Sequence, residues 1–300
     1  MRPKAQEDLA RFVRECRDVG TEAVPMILQL LRLDNDVRTA PMWKFKDGKL
    51  VGYPTLRATY ITALRSIPGA EAGAALVSLL PDAESAEEAY LISLSMQERG
   101  LSGWTEDLLS RAQKGNAVNR QLREQMARFA AANDPIGTAA RILHDVPRGA
   151  SKSDARVLLS ATTSLPLELA MTTTERLIED QDVTYRAKQL LLAKILERPE
   201  PEVYTALEEL MNRREFGEEL RIRTAHEAVN NTSFFIDMKS YQAAVAAKDT
   251  AKADEIRRRF NLRLRYAKSL VSTALRLNVE TSTDKRAQSL NRRLRALTLD

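Results

Sequence analysis

Cysteine is nearly absent from this chain. The single thiol, Cys16, excludes an intramolecular disulfide and any paired-cysteine zinc knuckle. Histidine is almost as scarce: with His144 and His226 alone, no multi-histidine metal site forms within one chain, and "HEAVN" at 226 to 230 puts Asn230 where the HExxH pattern needs its second ligand. Glycine and proline number 11 each and aromatics make up 5% of 300 residues, which disfavours sandwiches and barrels. The longest apolar run, "VPMILQLL" at 24 to 31, is far short of the roughly 18 residues a membrane span needs. The opening "MRPKAQEDLARFVREC" lacks the apolar stretch of a secretory signal, so cytoplasm is the expected compartment.

What is present is helix former. Ala, Leu, Arg and Glu dominate, and the fold class expected is all-α. Leu9, Phe12, Val13 and Cys16 recur at helical spacing, Gly20 is a stop signal, and a second apolar helix is expected near 22 to 33. One stretch breaks the rhythm. In "MWKFKDGKLVGY" at 42 to 53, Trp43 and Phe45 alternate with lysines up to Asp47-Gly48, which predicts a β-hairpin with Phe45 opposite Leu50 and Lys46 opposite Lys49. Trp43 and Phe45 are expected either to pack over the open edge of the first helices or to form an exposed aromatic contact patch.

From residue 54 the pattern is helical pairs, at about 54 to 81, 84 to 113, 117 to 145, 151 to 180, 182 to 212 and 217 to 247. "LRATYITALRSIPGAEAGAALVSLL", "LREQMARFAAANDPIGTAARIL" and "YRAKQLLLAKILERPEPEVYTALEEL" each carry an arginine, an apolar helix, a proline corner (Pro68, Pro135, Pro199) and a second apolar helix. Such a unit cannot bury its own apolar faces, so successive units must stack. Residues 54 to 230 thereby resemble HEAT-like repeats of the short bacterial type, although the usual aspartate of the second-helix turn is not consistently present, and tetratricopeptide-like pairs are the alternative. The resemblance implies a right-handed α-solenoid. It is expected to span residues 1 to 230 with the hairpin as an insertion, followed by a basic helical cap at 231 to 300.

There is no GxxxxGK[ST] phosphate loop, no GxGxxG and no GxSxG elbow. Asp34 and Asp36 lack the remaining ligands of a calcium loop, Cys16 lies on an apolar stripe, and Glu87 with Glu88 suits the dipole at the opening of a helix. Each histidine is expected to be a partly buried helix residue. No enzyme and no cofactor are expected.

Charge is the uneven feature. Residues 251 to 300 hold 13 Lys or Arg against 5 Asp or Glu, while the whole chain nets only +5. A turn at Asp249 followed by a helix of about 28 residues places Ile256, Phe260, Ala267, Val271 and Ala274 on one face and Arg258, Arg265 and Arg276 almost opposite. A last helix carries Ala287, Leu290, Leu294 and Leu297 on one side and repeats the basic pattern at Lys285 with Arg292 and at Arg286 with Arg293. These arginines are expected to be a solvated face, or to pair with the acidic segment 197 to 219, or to contact phosphates or an acidic protein. The function expected is a non-catalytic scaffold that binds another protein. A nucleic-acid binder using the basic C-terminal helices is the alternative, and an enzyme acting through Trp43, Trp104 and scattered carboxylates the third reading.

Overall fold

A computed structural model of the chain describes residues 3–33, 37–40, 43–46, 49–114, 120–149, 151–198, 200–277 and 284–297. They are mostly helix, with a single two-stranded sheet, and the chain divides into two compact units, Met1–Asn133 and Asp134–Asp300.

In the first unit, α1 (Pro3–Val19) buries Val13 and Cys16 and ends at Gly20, whose φ of 77° only glycine adopts without strain. A 3-10 turn (Gly20–Ala23) leads into α2 (Val24–Arg32), with proline in its first turn, as a helix start tolerates. The hairpin follows as β1 (Phe45–Lys46) and β2 (Lys49–Leu50), antiparallel and in the expected register, Phe45 opposite Leu50 and Lys46 opposite Lys49. The Asp47-Gly48 turn and the Asp34 and Asp36 positions lie outside the described residues. Gln6 of α1 holds the exit of the hairpin: its amide donates to the Tyr53 carbonyl at 3.1 Å and accepts from the Tyr53 N–H at 2.9 Å. Gly52 must be glycine here, because its φ is 73° and a Cβ would stand 2.9 Å from the Gln6 oxygen.

The remaining helices of the unit are α3 (Leu56–Ser66), α4 (Ala70–Leu79), α5 (Ala86–Glu98), α6 (Thr105–Lys114) and α7 (Arg120–Asn133). Thr55 and Ser85 cap α3 and α5 by accepting the N–H groups of Ala58 and Glu88. The second unit holds α8 (Pro135–Asp145), α9 (Lys152–Ser160), α10 (Leu167–Glu179), α11 (Tyr185–Ile195), α12 (Glu202–Met211), α13 (Glu218–Val229), α14 (Thr232–Ala246), α15 (Thr250–Leu277) and α16 (Asp284–Ala296). Each helical pair expected from residue 54 onward corresponds to two of these helices. Of the three proline corners, Pro68 falls between α3 and α4, Pro135 is the first residue of α8, and Pro199 lies outside the described residues.

Within each unit, helices two apart in the chain pack together: α1 on α3, α2 on α4, α3 on α5 and α5 on α7, then α8 on α10, α9 on α11, α10 on α12 and α11 on α13. The same stagger governs how helix ends are satisfied. The last carbonyls of a helix have no partner within it and carry partial negative charge, which a cation placed there both satisfies and neutralises. Arg99, at the end of α5, donates to the carbonyls of Leu64 at 3.0 Å, Arg65 at 3.1 Å and Gly69 at 3.1 Å, and also to Ile67, closing the end of α3. Arg111 of α6 does the same for the end of α4, through Leu80 at 3.1 Å, Pro81 at 2.6 Å and Ala83 at 2.7 Å. Arg198, after α11, closes the turn that follows α9, through Thr162 at 2.7 Å and Leu165 at 2.8 Å. Arg123, Lys188 and Arg221 close the ends of α6, α10 and α12 over shorter chain separations.

The 28-residue α15 begins after a turn in which Lys248 takes a φ of 59° and Asp249 accepts the Lys252 N–H at 3.1 Å. Ile256, Phe260, Ala267, Val271 and Ala274 are all buried, as the periodicity required. The helix packs against α12, α13, α14 and α16, and residues 231 to 300, expected as a basic helical cap, lie in one compact unit with the helices from α8 onward. No helix among the described residues is long and apolar enough to cross a membrane.

Candidate interaction surfaces

In the first unit the aromatic side chains form a continuous row. Trp43 stacks on Phe45 with centroids 6.2 Å apart, Phe45 meets Tyr90 edge-on at 4.9 Å, Tyr90 meets Phe129 at 5.6 Å, and Phe129 stacks on Trp104 at 4.9 Å. The hairpin therefore meets α5 through Tyr90, while its exit is held by Gln6 of α1. Trp43 and Phe45 are half-buried, whereas Tyr90 and Trp104 are core residues, so Trp104 is not placed at an accessible site. A groove of about 420 Å³ runs beside the hairpin, lined by Leu50, Tyr53, Thr62, Arg65 and Glu98, the last two forming an ion pair.

In the second unit, Arg258 and Arg265 are exposed on α15, and neither meets a carboxylate among the described residues. The Arg258 guanidinium reaches only the Asp254 carbonyl of its own helix, at 3.4 Å. The stripe does not continue unbroken to Arg276. Between them α12 crosses, and Ser269 and Thr273 each donate to the Glu208 carboxylate at 2.7 Å. Beyond that crossing Arg276 donates to the Asn212 side-chain oxygen at 3.3 Å, and on α16 Arg293 donates to that of Asn230 at 2.6 Å. The side chain of Arg286 lies outside the described residues. The acidic segment thus meets α15 through hydroxyls, and several of its charges are used locally: Arg213 pairs with Glu175 and Glu179, Lys194 with Glu197, and Arg198 with Glu200.

Two other arginines of α15 turn toward α14. Asp237 of α14 is 2% exposed and accepts from Arg259 at 2.6 Å and from Arg263 at 2.5 Å. That hydrogen bonding holds the Arg259 guanidinium above its usual value. Sequence reasoning did not single out this cluster; its signal is that Asp237 follows Phe234 by three residues, which puts a carboxylate on the face that meets Phe260. Phe235 and Ile236, on the other side of α14, are 57% and 61% exposed.

Glu87 and Glu88 stand in the first turn of α5, as expected at a helix opening, and Glu88 is in addition buried and paired with Arg57. His226 is half-buried in α13, but His144 is exposed, with its Nδ1 2.7 Å from Asp145, because it stands on the outward side of α8. Burial, with a smaller contribution from Glu15, pushes the Cys16 thiol up. No protein-family model matches this chain, and no curated protein or solved structure matches it.

Proposed function

We propose that the chain is a non-catalytic protein-protein interaction scaffold of the α-solenoid type, with helical pairs stacked in the manner of HEAT-like repeats. The stacking reading is supported by the packing of helices two apart and by arginines that cap helix ends about 30 residues back. The observations that carry the binding reading are the exposed Phe235 and Ile236 on α14 and the exposed Leu262, Arg258 and Arg265 on α15. Large apolar side chains and arginines are what protein interfaces concentrate, and burial in this unit does not account for them. Affinity capture from the native organism, comparing the natural chain with a Phe235→Asp, Ile236→Asp variant, tests it. Partners captured by the first and lost by the second are expected; identical captures would remove this surface from the case. Small-angle scattering should give a radius of gyration above the roughly 19 Å of a compact globule of this length.

The second reading, binding of nucleic acid, is favoured by one observation: Arg258 and Arg265 are exposed and meet no carboxylate among the described residues.

A further inference from the structure

Neither glycine nor proline occurs in the chain after Gly217, so the turn that joins α14 to α15 is made without either. Its geometry is the one glycine ordinarily serves. Asp249 donates its N–H to the Ala244 carbonyl at 2.9 Å and Lys248 donates to that of Val245 at 3.0 Å, the paired bonds of a Schellman close, which set the residue after the helix in the left-handed region. That residue is Lys248, with a φ of 59°, and every other described residue with positive φ is glycine. A side chain there crowds the neighbouring carbonyl, so the turn is strained. The sequence through it, "AAVAAKDTAKAD" at 243 to 254, is rich in strong helix formers, so local propensity favours helix where the fold has a reversal. What holds the turn closed is the Asp249 cap and the packing of the two helices: Phe234 meets Phe260 edge-on at 5.2 Å, and Asp237 accepts from Arg259 and Arg263. Each of these packing contacts joins a residue before the turn to one after it.

We propose that two copies of this chain exchange their segments from Thr250 onward. The turn at Lys248 straightens, α14 runs on into α15 as one helix, and α15 of each copy packs against α12, α13 and α14 of the other. The partner is a second copy because the contacts that opening breaks within a chain are remade between chains: Asp237 of each copy meets Arg259 and Arg263 of the other, and Phe234 meets Phe260. The interface is therefore isologous, and it needs no surface that the single chain does not already bury. The left-handed residue disappears from both copies, which is the gain, and the Asp249 cap is lost from both, which opposes it. Exchange is slow, since α15 must leave three neighbouring helices before it finds them again in the other copy.

The test is size exclusion with light scattering on the full chain, before and after refolding from urea at high protein concentration. Monomer and dimer that persist as separate species on dilution are expected. Lys248→Gly relieves the turn and weakens a continuous helix without touching any contact between α14 and α15, so it should lower the dimer-to-monomer ratio at least about tenfold, the effect of strain removed from two turns per dimer. Asp249→Ala removes the cap and should raise that ratio. A second arm separates exchange from simple surface association. One chain carries Asp237→Arg and another carries Arg259→Asp with Arg263→Asp, so that each alone sets like charges against one another. Refolded together and examined by native mass spectrometry, they should form a mixed dimer in preference to either dimer alone, because exchange sets opposite charges together at both contacts. Association without exchange leaves the like charges inside each chain and gives no such preference. A chain that is monomeric throughout, a dimer indifferent to Lys248→Gly, or the absence of the mixed dimer each overturns the proposal.

Discussion

Arg57 and Glu88, 31 positions apart, meet as a buried ion pair between α3 and α5: the Arg57 Nε donates to one carboxylate oxygen at 2.8 Å and Nη2 to the other at 3.3 Å. The remaining nitrogen donates to the Leu31 carbonyl at 2.7 Å, so a single side chain ties together α2, α3 and α5. Glu88→Ala leaves the buried guanidinium only the half-exposed Glu84 carboxylate, at 3.0 Å, as an ionic partner and should cost about 3 kcal/mol, the low end for breaking a buried pair, read as a lowered midpoint in urea. The double replacement Arg57→Met, Glu88→Leu should recover much of that loss, since it removes both charges. A single variant no less stable than the natural protein would show that the pair contributes nothing.

Cys16 is 3% exposed and its thiol is raised by burial, so the nucleophilic thiolate is scarce and shielded. An aromatic disulfide reagent should therefore react slowly with the native chain and with one thiol per chain in denaturant. Rapid native labelling would place Cys16 in a different environment.

Burial pushes the phenols of Tyr90 and Tyr204 above the ordinary tyrosine value of about 10. The unfolded chain then loses these protons first, so their contribution to stability is complete below about pH 10 and is lost as the pH rises through the folded values. Denaturation midpoints should fall on the alkaline side, and Tyr204→Phe should flatten that fall. A midpoint that does not change with alkaline pH would contradict the assignment.

Trp43, stacked on Phe45 and half-buried, should be partly protected from iodide in a Trp104→Phe variant, which leaves it the one tryptophan. Quenching as complete as for free tryptophan would mean that the hairpin does not rest on Tyr90.

If the arginines of α15 meet phosphates, binding to duplex DNA should weaken with salt at a log-log slope of about −0.9 per contact. Arg258→Glu with Arg265→Glu should remove most of that binding. Arg276→Glu should add less, because α12 separates Arg276 from the other two. No binding at low salt, or indifference to these changes, removes the nucleic-acid reading.

Local chemistry was legible in the sequence. The alternation around Phe45 and Leu50 set the hairpin register, and the spacing of Ile256, Phe260 and Val271 set the buried face of α15, because both depend on side-chain periodicity. The destinations of charged side chains were not legible. Arg57 and Arg123 recur in the helical units as if they were surface residues, yet they are 8% and 4% exposed and reach carbonyls of other helices. A backbone carbonyl leaves no mark on the sequence, so its cationic partner looks unassigned. The pairing of Arg259 and Arg263 with Asp237, 22 and 26 positions away, was hidden because spacing within α15 does not say which helix packs beside it, whereas the exposure of Arg258 and Arg265 follows from the helical spacing alone.

The long-range caps also set an order of events during synthesis. The ends of α3 and α4 wait for Arg99 and Arg111, and the turn after α9 waits for Arg198, which lie 28 to 36 positions further along. A nascent chain leaving the ribosome cannot close one helix end until roughly another helical pair has emerged, and translation at about 5 to 20 residues per second makes that interval seconds long. During it the finished helix carries open carbonyls and an uncovered apolar face, so a pause before Arg99 or Arg111 has emerged would prolong the exposure, and one after its emergence would not.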